Sequence, residues 1–457
     1  MEKSATKDLT VGSPMKLILE FSIPLLFGFL FQQFYSLIDT IIVGRTLGVN
    51  ALAAVGSTGS VFFMIIGFCM GVCSGFAIPV AQRFGAKDES GMRRMVANSM
   101  WLCIVFAAIM TVVISAFCRN ILQWMNTPED IIESAYAYII VIFMGIPITY
   151  LYNMLSGIIR SLGDSKTPVY FLVLSSVLNI ILDFVCIINL HMGVAGAAVA
   201  TVISQGVAGV GCLFYMIYKF PILHLQKEEW KMDTHSMKIL CGMGIPMGLQ
   251  YSITAIGSVI LQASVNGLGS IAVASMTAGS KISFFFCCPF DALGATMATY
   301  GGQNIGARRL DRIREGFIKC SYLGIGYSVL AFIFMLFFAG KITLLFVDAK
   351  ETVIIQQASE YLIITMAFFI LLAFVNIIRF LIQGMGFSKF AILAGVFEMA
   401  ARMLTGFLLV PIGGFTAACF ASPIAWIFAN AFLFPAYFYV MKKCKREFGE
   451  LQELEEG

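Results

Sequence analysis

The sequence predicts an all-α membrane protein with twelve transmembrane helices, arranged as two parallel-repeat six-helix lobes around a central cleft. Three observations carry this reading. Apolar residues make up 59% of the chain and charged residues 12%, more apolar surface than a soluble core can hide. These residues gather into about twelve runs, each near the roughly 20 residues a helix needs to cross a bilayer. The second half of the chain also repeats motifs of the first.

The spans predicted in the first half cover 17–43, 51–81, 95–117, 134–157, 168–189 and 194–218. Those of the second half cover 240–265, 271–300, 316–339, 357–382, 390–411 and 414–440. Basic residues cluster at alternate connections: Lys3, Lys7 and Lys16, then Arg83, Lys87, Arg93 and Arg94, then Arg160 and Lys166. They recur from Lys219 to Lys238, at Arg308, Arg309, Arg312 and Arg314, at Lys389, and in the C-terminal "KKCKR". The intervening connections hold only Arg45, Arg119, Lys341 and Lys350. The excess of Lys and Arg on one side places both termini in the cytoplasm, which requires an even number of spans.

The repeat sets the domain organisation. "LGVNALAAVGSTGS" from Leu47 answers to "LGSIAVASMTAGSK" from Leu268, and "AQRFGAKD" (81–88) to "GQNIGARR" (302–309). "RSLGDSK" (160–166) answers to "QGMGFSK" (383–389), and "GVAGAA" more loosely to "GGFTAA" before the sixth and twelfth spans. An even number of spans per copy gives both copies one orientation, with the pseudo-two-fold axis along the membrane normal. The expected domains are an N-terminal lobe (1–218), a cytoplasmic linker (219–239), a C-terminal lobe (240–440) and a cytoplasmic tail (441–457). Two lobes flanking a cleft suit an alternating-access device.

Several classes of function find no support. The twelve Cys are scattered through apolar segments without a CxxC pair, and read as small packing residues. No P-loop, dinucleotide motif or basic nucleic-acid stripe is present. The three His, His191, His224 and His235, form no ligand motif, so an enzyme is not expected. The polar N-terminal stretch "MEKSATKDLTVGSPMK" does not read as a cleavable signal.

The two-copy layout, the "QRFGAKD" and "QNIGARR" loops after the second and eighth spans, and "RSLGDSKTP" after the fourth resemble the multidrug and toxic compound extrusion (MATE) family. The resemblance covers roughly residues 14–440. It implies a secondary antiporter that exports organic cations in exchange for H+ or Na+. It implies no cofactor beyond that ion and no nucleic-acid partner. A lipid-linked oligosaccharide flippase of the same superfamily is the alternative. The expected setting is a bacterial plasma membrane, with the protein as a monomer among the lipids.

Ionisable residues inside spans are functional candidates by default, because a carboxylate at the bilayer centre costs about 2.5–3.5 kcal/mol on insertion scales. Asp39 and Asp183 are such acids in the first half, with no cation in their spans. At 1.5 Å per residue, Asp39 falls in the outer third of the first span and Asp183 about two turns from the outer end of the fifth. Thr201 lies about two turns into the sixth, and Asn179 one turn deeper than Asp183. Two carboxylates, an amide and a hydroxyl in one slab offer oxygen ligands to Na+, or a home for a shared proton. A structural polar cluster joining three helices is the alternative. The family resemblance implies that Asp39, Asn179, Asp183 and Thr201 form a cation or proton site, and that the first helix bends at Pro24 when the nearby acid is protonated. A tolerated kink would explain Pro24 equally well.

The second half reads differently. Glu398 and Arg402 stand four residues apart, the spacing of an intrahelical ion pair, and read as structural. Asp291 is a possible cleft acid for a cationic substrate, with Lys281 almost three turns away. Tyr35 and Phe284 stand for the aromatic residues that could line such a cleft; packing or lipid contact accounts for each of them as well.

Overall fold

The computed structural model describes residues 6–125 and 127–456. Lys3 of the first basic cluster lies outside the described residues, as does the last residue of the tail. The described residues form helices joined by short turns, with no strand among them. In chain order the helices are α1 (Pro14–Leu47), α2 (Val49–Ser57), α3 (Gly59–Gly85), α4 (Glu89–Trp124), α5 (Ile132–Met144), α6 (Ile146–Ser161), α7 (Lys166–Asp183) and α8 (Val194–Lys219). They continue as α9 (Thr234–Asn266), α10 (Ser270–Gly306), α11 (Leu310–Thr343), α12 (Thr352–Ala367), α13 (Phe369–Gly384), α14 (Ser388–Leu404), α15 (Val410–Cys419) and α16 (Ala421–Glu456).

Among the described residues, ten helical segments are each long and apolar enough to cross a membrane. Two bent pairs, α5–α6 (47°) and α12–α13 (52°), complete twelve spans. The predicted span 51–81 is divided: α2 ends at Ser57 and α3 begins at Gly59. Two spans end in π-helical turns, Phe184–Asn189 after α7 and Thr405–Leu409 after α14.

The internal repeat is written into the backbone. Left-handed residues recur at corresponding positions: Gly48 and Gly269, Lys87 and Arg308, Gly163 and Gly386, Gly193 and Gly414. The loose "GVAGAA"/"GGFTAA" match therefore shifts by one residue. Gly193 (φ 62°, ψ −145°) pairs with Gly414 (φ 60°, ψ −142°), because both break the chain in the same way. The bends at Gly145 and Phe368, and the helical prolines Pro24 and Pro246, also fall in step.

The chain forms two compact units, residues 1–8 with 27–252, and 9–26 with 253–457. Each takes in a stretch that the sequence reading assigns to the other half. The divisions fall inside α1 shortly after Pro24 and inside α9 shortly after Pro246. In the first unit, Gly71 and Gly75 of α3 form a small-residue face against the first part of α9. A Cβ on Gly75 would lie 2.5 Å from Gly244 Cα, and one on Gly71 would lie 2.6 Å from the Met247 carbonyl oxygen. Only glycine allows backbones this close. The linker lies on the same unit: Arg93 donates to both Glu229 carboxylate oxygens at 2.9 Å, Trp101 donates to the Trp230 carbonyl at 3.1 Å, and the Asp233 N–H donates to Asn98 at 2.9 Å.

In the second unit, the "GQNIGARR" motif and the arginine just beyond it hold residues 9–12. The Leu9 N–H donates to Gln303 at 2.8 Å, Asn304 donates to the Leu9 carbonyl at 3.3 Å, and Arg312 donates to the carbonyls of Leu9 (3.2 Å) and Gly12 (2.9 Å). This loop motif thus serves to tether the chain.

Candidate functional site

The first unit gathers four helices around the two intramembrane acids. α1 supplies Tyr35 and Asp39, one turn apart on one face. α7 supplies Asn179 and Asp183 on its last turn, α8 supplies Thr201, and α5 supplies Tyr138. Asp183 is the final residue before the π-turn of its span. The wider turn re-aims the backbone just beyond the acid, a device often found at functional positions.

Asn179 is 1% exposed and Asp183 fully buried, whereas Asp39 is half-buried. Oriented to satisfy both ends of its amide, Asn179 donates to Asp183 Oδ2 at 3.1 Å. It then accepts from Thr201 Oγ1 at 3.2 Å and from the Thr201 backbone N–H at 3.0 Å. The Thr201 hydroxyl, with one proton to give, also lies 3.0 Å from the Ala197 carbonyl as its alternative acceptor and 3.5 Å from Tyr35 Oη. The Asp39 and Asp183 carboxyl groups interact side chain to side chain, and both carry an electrostatic influence to the buried Tyr35 and Tyr138 side chains. Oδ1 of each acid is buried, and among the described residues no donor reaches either one.

That arrangement has a definite chemistry. Two adjoining carboxylates each leave an oxygen without a donor, a costly state in a dry interior. One proton shared between them would satisfy both oxygens, as would one small cation. The oxygen set is two carboxylates, an amide and a hydroxyl. Among the described residues no group of three or more His, Cys, Asp or Glu is suited to a metal ion.

The structure thus brings Asp39, Asn179, Asp183, Thr201 and Tyr35 together. Pro24 lies in α1 but apart from this cluster, in the stretch belonging to the second unit. Asp291 and Phe284 also lie there, on α10, and both are exposed, Phe284 by 59%. Asp291 accepts a hydrogen bond from Asn376 at 3.3 Å.

Two residues escaped the sequence reading. Tyr138 was one aromatic among many, although aligning the repeat would have paired it with Tyr361. Arg379 was overlooked inside an apolar run, and it adds a second partner to the expected Glu398–Arg402 ion pair, which the structure contains. The hydrogen-bonded partner of Glu398 is Arg379 on α13, while Arg402 sits 3.9 Å away. The second unit therefore buries two guanidiniums around one carboxylate, and the pairing spans helices as well as running along one.

Up to twelve spans in two copies, with a buried acid pair in the first, define an internally repeated polytopic membrane protein. The MatE family model matches residues 24–185 and 246–408, so the chain belongs to the MATE family. It is 31% identical to the probable multidrug resistance protein YoeA of Bacillus subtilis over 65% of each chain, a little under two thirds of that relative's length. It is 30% identical to the probable multidrug resistance protein YpnP of the same organism, over 67% of this chain and 68% of that one. A solved structure described as the outward-facing conformation of a multidrug resistance MATE family transporter shares the fold, with a TM-score of 0.90 at 24% identity, over 97% of this chain and all of that one.

Proposed function

We propose that the protein is a proton-coupled antiporter of the bacterial plasma membrane, exporting organic cations and related drugs by alternating access, with both termini cytoplasmic. Na+ is the alternative occupant of the same oxygen cage. The observation that carries this reading is the pair of buried, donorless Oδ1 atoms on Asp39 and Asp183. The kinship with proteins named for multidrug resistance supplies the class of cargo.

In this reading the half-buried Asp39 meets water first and passes a proton into the pair, while Asp183 holds its place through Asn179. Binding the proton removes one negative charge from the chamber and adds a donor between the two acids. α1 answers by bending at Pro24, where the proline ring leaves the Glu20 carbonyl without its intrahelical donor. Release of the proton on the cytoplasmic side restores the charge and resets the helix. Tyr35, Asp291 and Phe284 are the proposed contacts for the cargo. The protein works as a monomer and needs no cofactor beyond the coupling ion.

Proteoliposomes loaded with ethidium test this. An imposed pH gradient should drive ethidium transport, and replacing Na+ with choline at fixed pH should leave the rate unchanged. Transport that follows the Na+ gradient alone would reassign the site to Na+. No ethidium transport under either gradient would defeat the proposal.

A further inference from the structure

The repeat places a second cluster of buried polar side chains in the other unit, on the corresponding helices but with the opposite charge. Its register follows from backbone landmarks, the bends at Gly145 and Phe368 and the turns at Gly163 and Gly386; the breaks at Gly193 and Gly414, beyond the π-helical turns, stand two residues out of it. Counted back from the bends, Tyr138 and Tyr361 occupy one position. Counted forward from Lys166 and Lys389, Asn179 and Arg402 occupy one position, so each lies at the same height and on the same helix face. Both tyrosines are buried, at 8% exposure each.

Arg402 is poorly satisfied for a buried cation. Its side chain is 11% exposed, yet its contacts are long: the Thr254 carbonyl at 3.5 Å and Glu398 Oε2 at 3.9 Å. A guanidinium carries five N–H donors in a planar fork. Glu398, its nearest acid, is taken up by Arg379, and Asp291 on α10 is bonded to Asn376. Beside the guanidinium, Gly257 presents no side chain. A Cβ there would come within 3.5 Å of Arg402 Cδ and 3.6 Å of Nη1. The cluster is left with an excess positive charge and unused donors.

We infer that Arg402 forms an anion-binding subsite in the second unit, taking the carboxylate of an amphoteric substrate. A planar carboxylate matches the guanidinium fork, and the charge-assisted bonds gain strength from burial. Tyr361 holds the place in the second copy that Tyr138 holds in the first. The inference rests on the transport reading and deepens it by assigning the residue that holds the acidic end of a substrate carrying both a carboxylate and an amine.

The test is a binding measurement on the purified full-length protein in detergent, comparing norfloxacin, which has a carboxylate and an amine, with its ethyl ester, which keeps the amine alone. The wild type should bind the acid about tenfold or more tightly than the ester, the margin expected of a charge-assisted hydrogen bond. Arg402→Gln should bring that ratio to about one, and Arg402→Lys should keep only part of it, since an ammonium cannot make the fork. A wild-type ratio of one overturns the subsite without recourse to any variant, and so does a preference that survives in a folded Arg402→Gln protein. Failure of ethidium transport would strike the coupling reading alone and leave these binding ratios standing.

Discussion

One end of the Asn179 amide stands 3.2 Å from the Thr201 hydroxyl, joining the fifth and sixth spans directly beneath the acid pair. Through this contact a single residue, Asn179, holds both Asp183 and Thr201. Replacing Thr201 with valine keeps the shape and removes the hydroxyl. The expected loss is about 1 kcal/mol of stability, the usual net worth of one hydrogen bond. Transport should suffer more than that, because Asn179 loses the contact that aims it at Asp183. Thermal unfolding in detergent and proton-driven ethidium transport, measured on the same preparation, would show the disproportion.

Asp39 and Asp183 should behave as one unit. Asp39→Asn and Asp183→Asn should each yield a folded protein that has lost transport driven by a pH gradient. The double variant should be no worse than either single one, since groups that share one proton are not additive. Independent, multiplying losses would mean that the acids act separately.

Arg379 and Glu398 make a buried pair whose halves are unequal to remove. Arg379→Leu leaves Glu398 with Arg402 alone, at 3.9 Å, and should cost about 3–5 kcal/mol, the penalty of stripping a buried charge of its partner. Replacing both Arg379 and Glu398 with leucine should recover much of that loss, as apolar packing substitutes for the pair. Melting temperatures of the two variants in detergent decide the point.

The linker tether has its own pH signature. Burial raises the Glu229 carboxyl, but the Gln226 backbone N–H and the Arg93 guanidinium outweigh it and hold the group below its ordinary value of 4.5. A depressed carboxyl stabilises the fold above that ordinary value and loses its contribution as pH falls through the lowered one. Hydrogen exchange across residues 220–233 should therefore stay slow at neutral pH and rise only in acid below the ordinary value. Glu229→Gln should speed exchange at neutral pH and make little difference in strong acid. Any pH dependence of transport near neutrality must then come from elsewhere in the protein.

Much of this molecule was legible in its sequence because a bilayer imposes a severe rule. Each crossing helix must satisfy its own backbone and be apolar for about 20 residues, so the spans announce themselves along the chain. Asp39 and Asp183 stood out by the same rule, since a carboxylate in such a run is costly enough to require a reason. The sequence could also place Asn179 and Thr201 at the right depth, because depth follows from counting residues along one helix.

What counting along a helix cannot supply is which faces meet. Only the tertiary structure decided that Tyr35 reaches Thr201, that Glu398 turns to Arg379 on another helix, and that α1 and α9 divide between the two compact units. Those outcomes depend on helix rotation and on close approaches such as that of Gly75 to Gly244. Both arise from packing between segments far apart in the chain, where many rotations bury the same apolar area and only side-chain fit selects one.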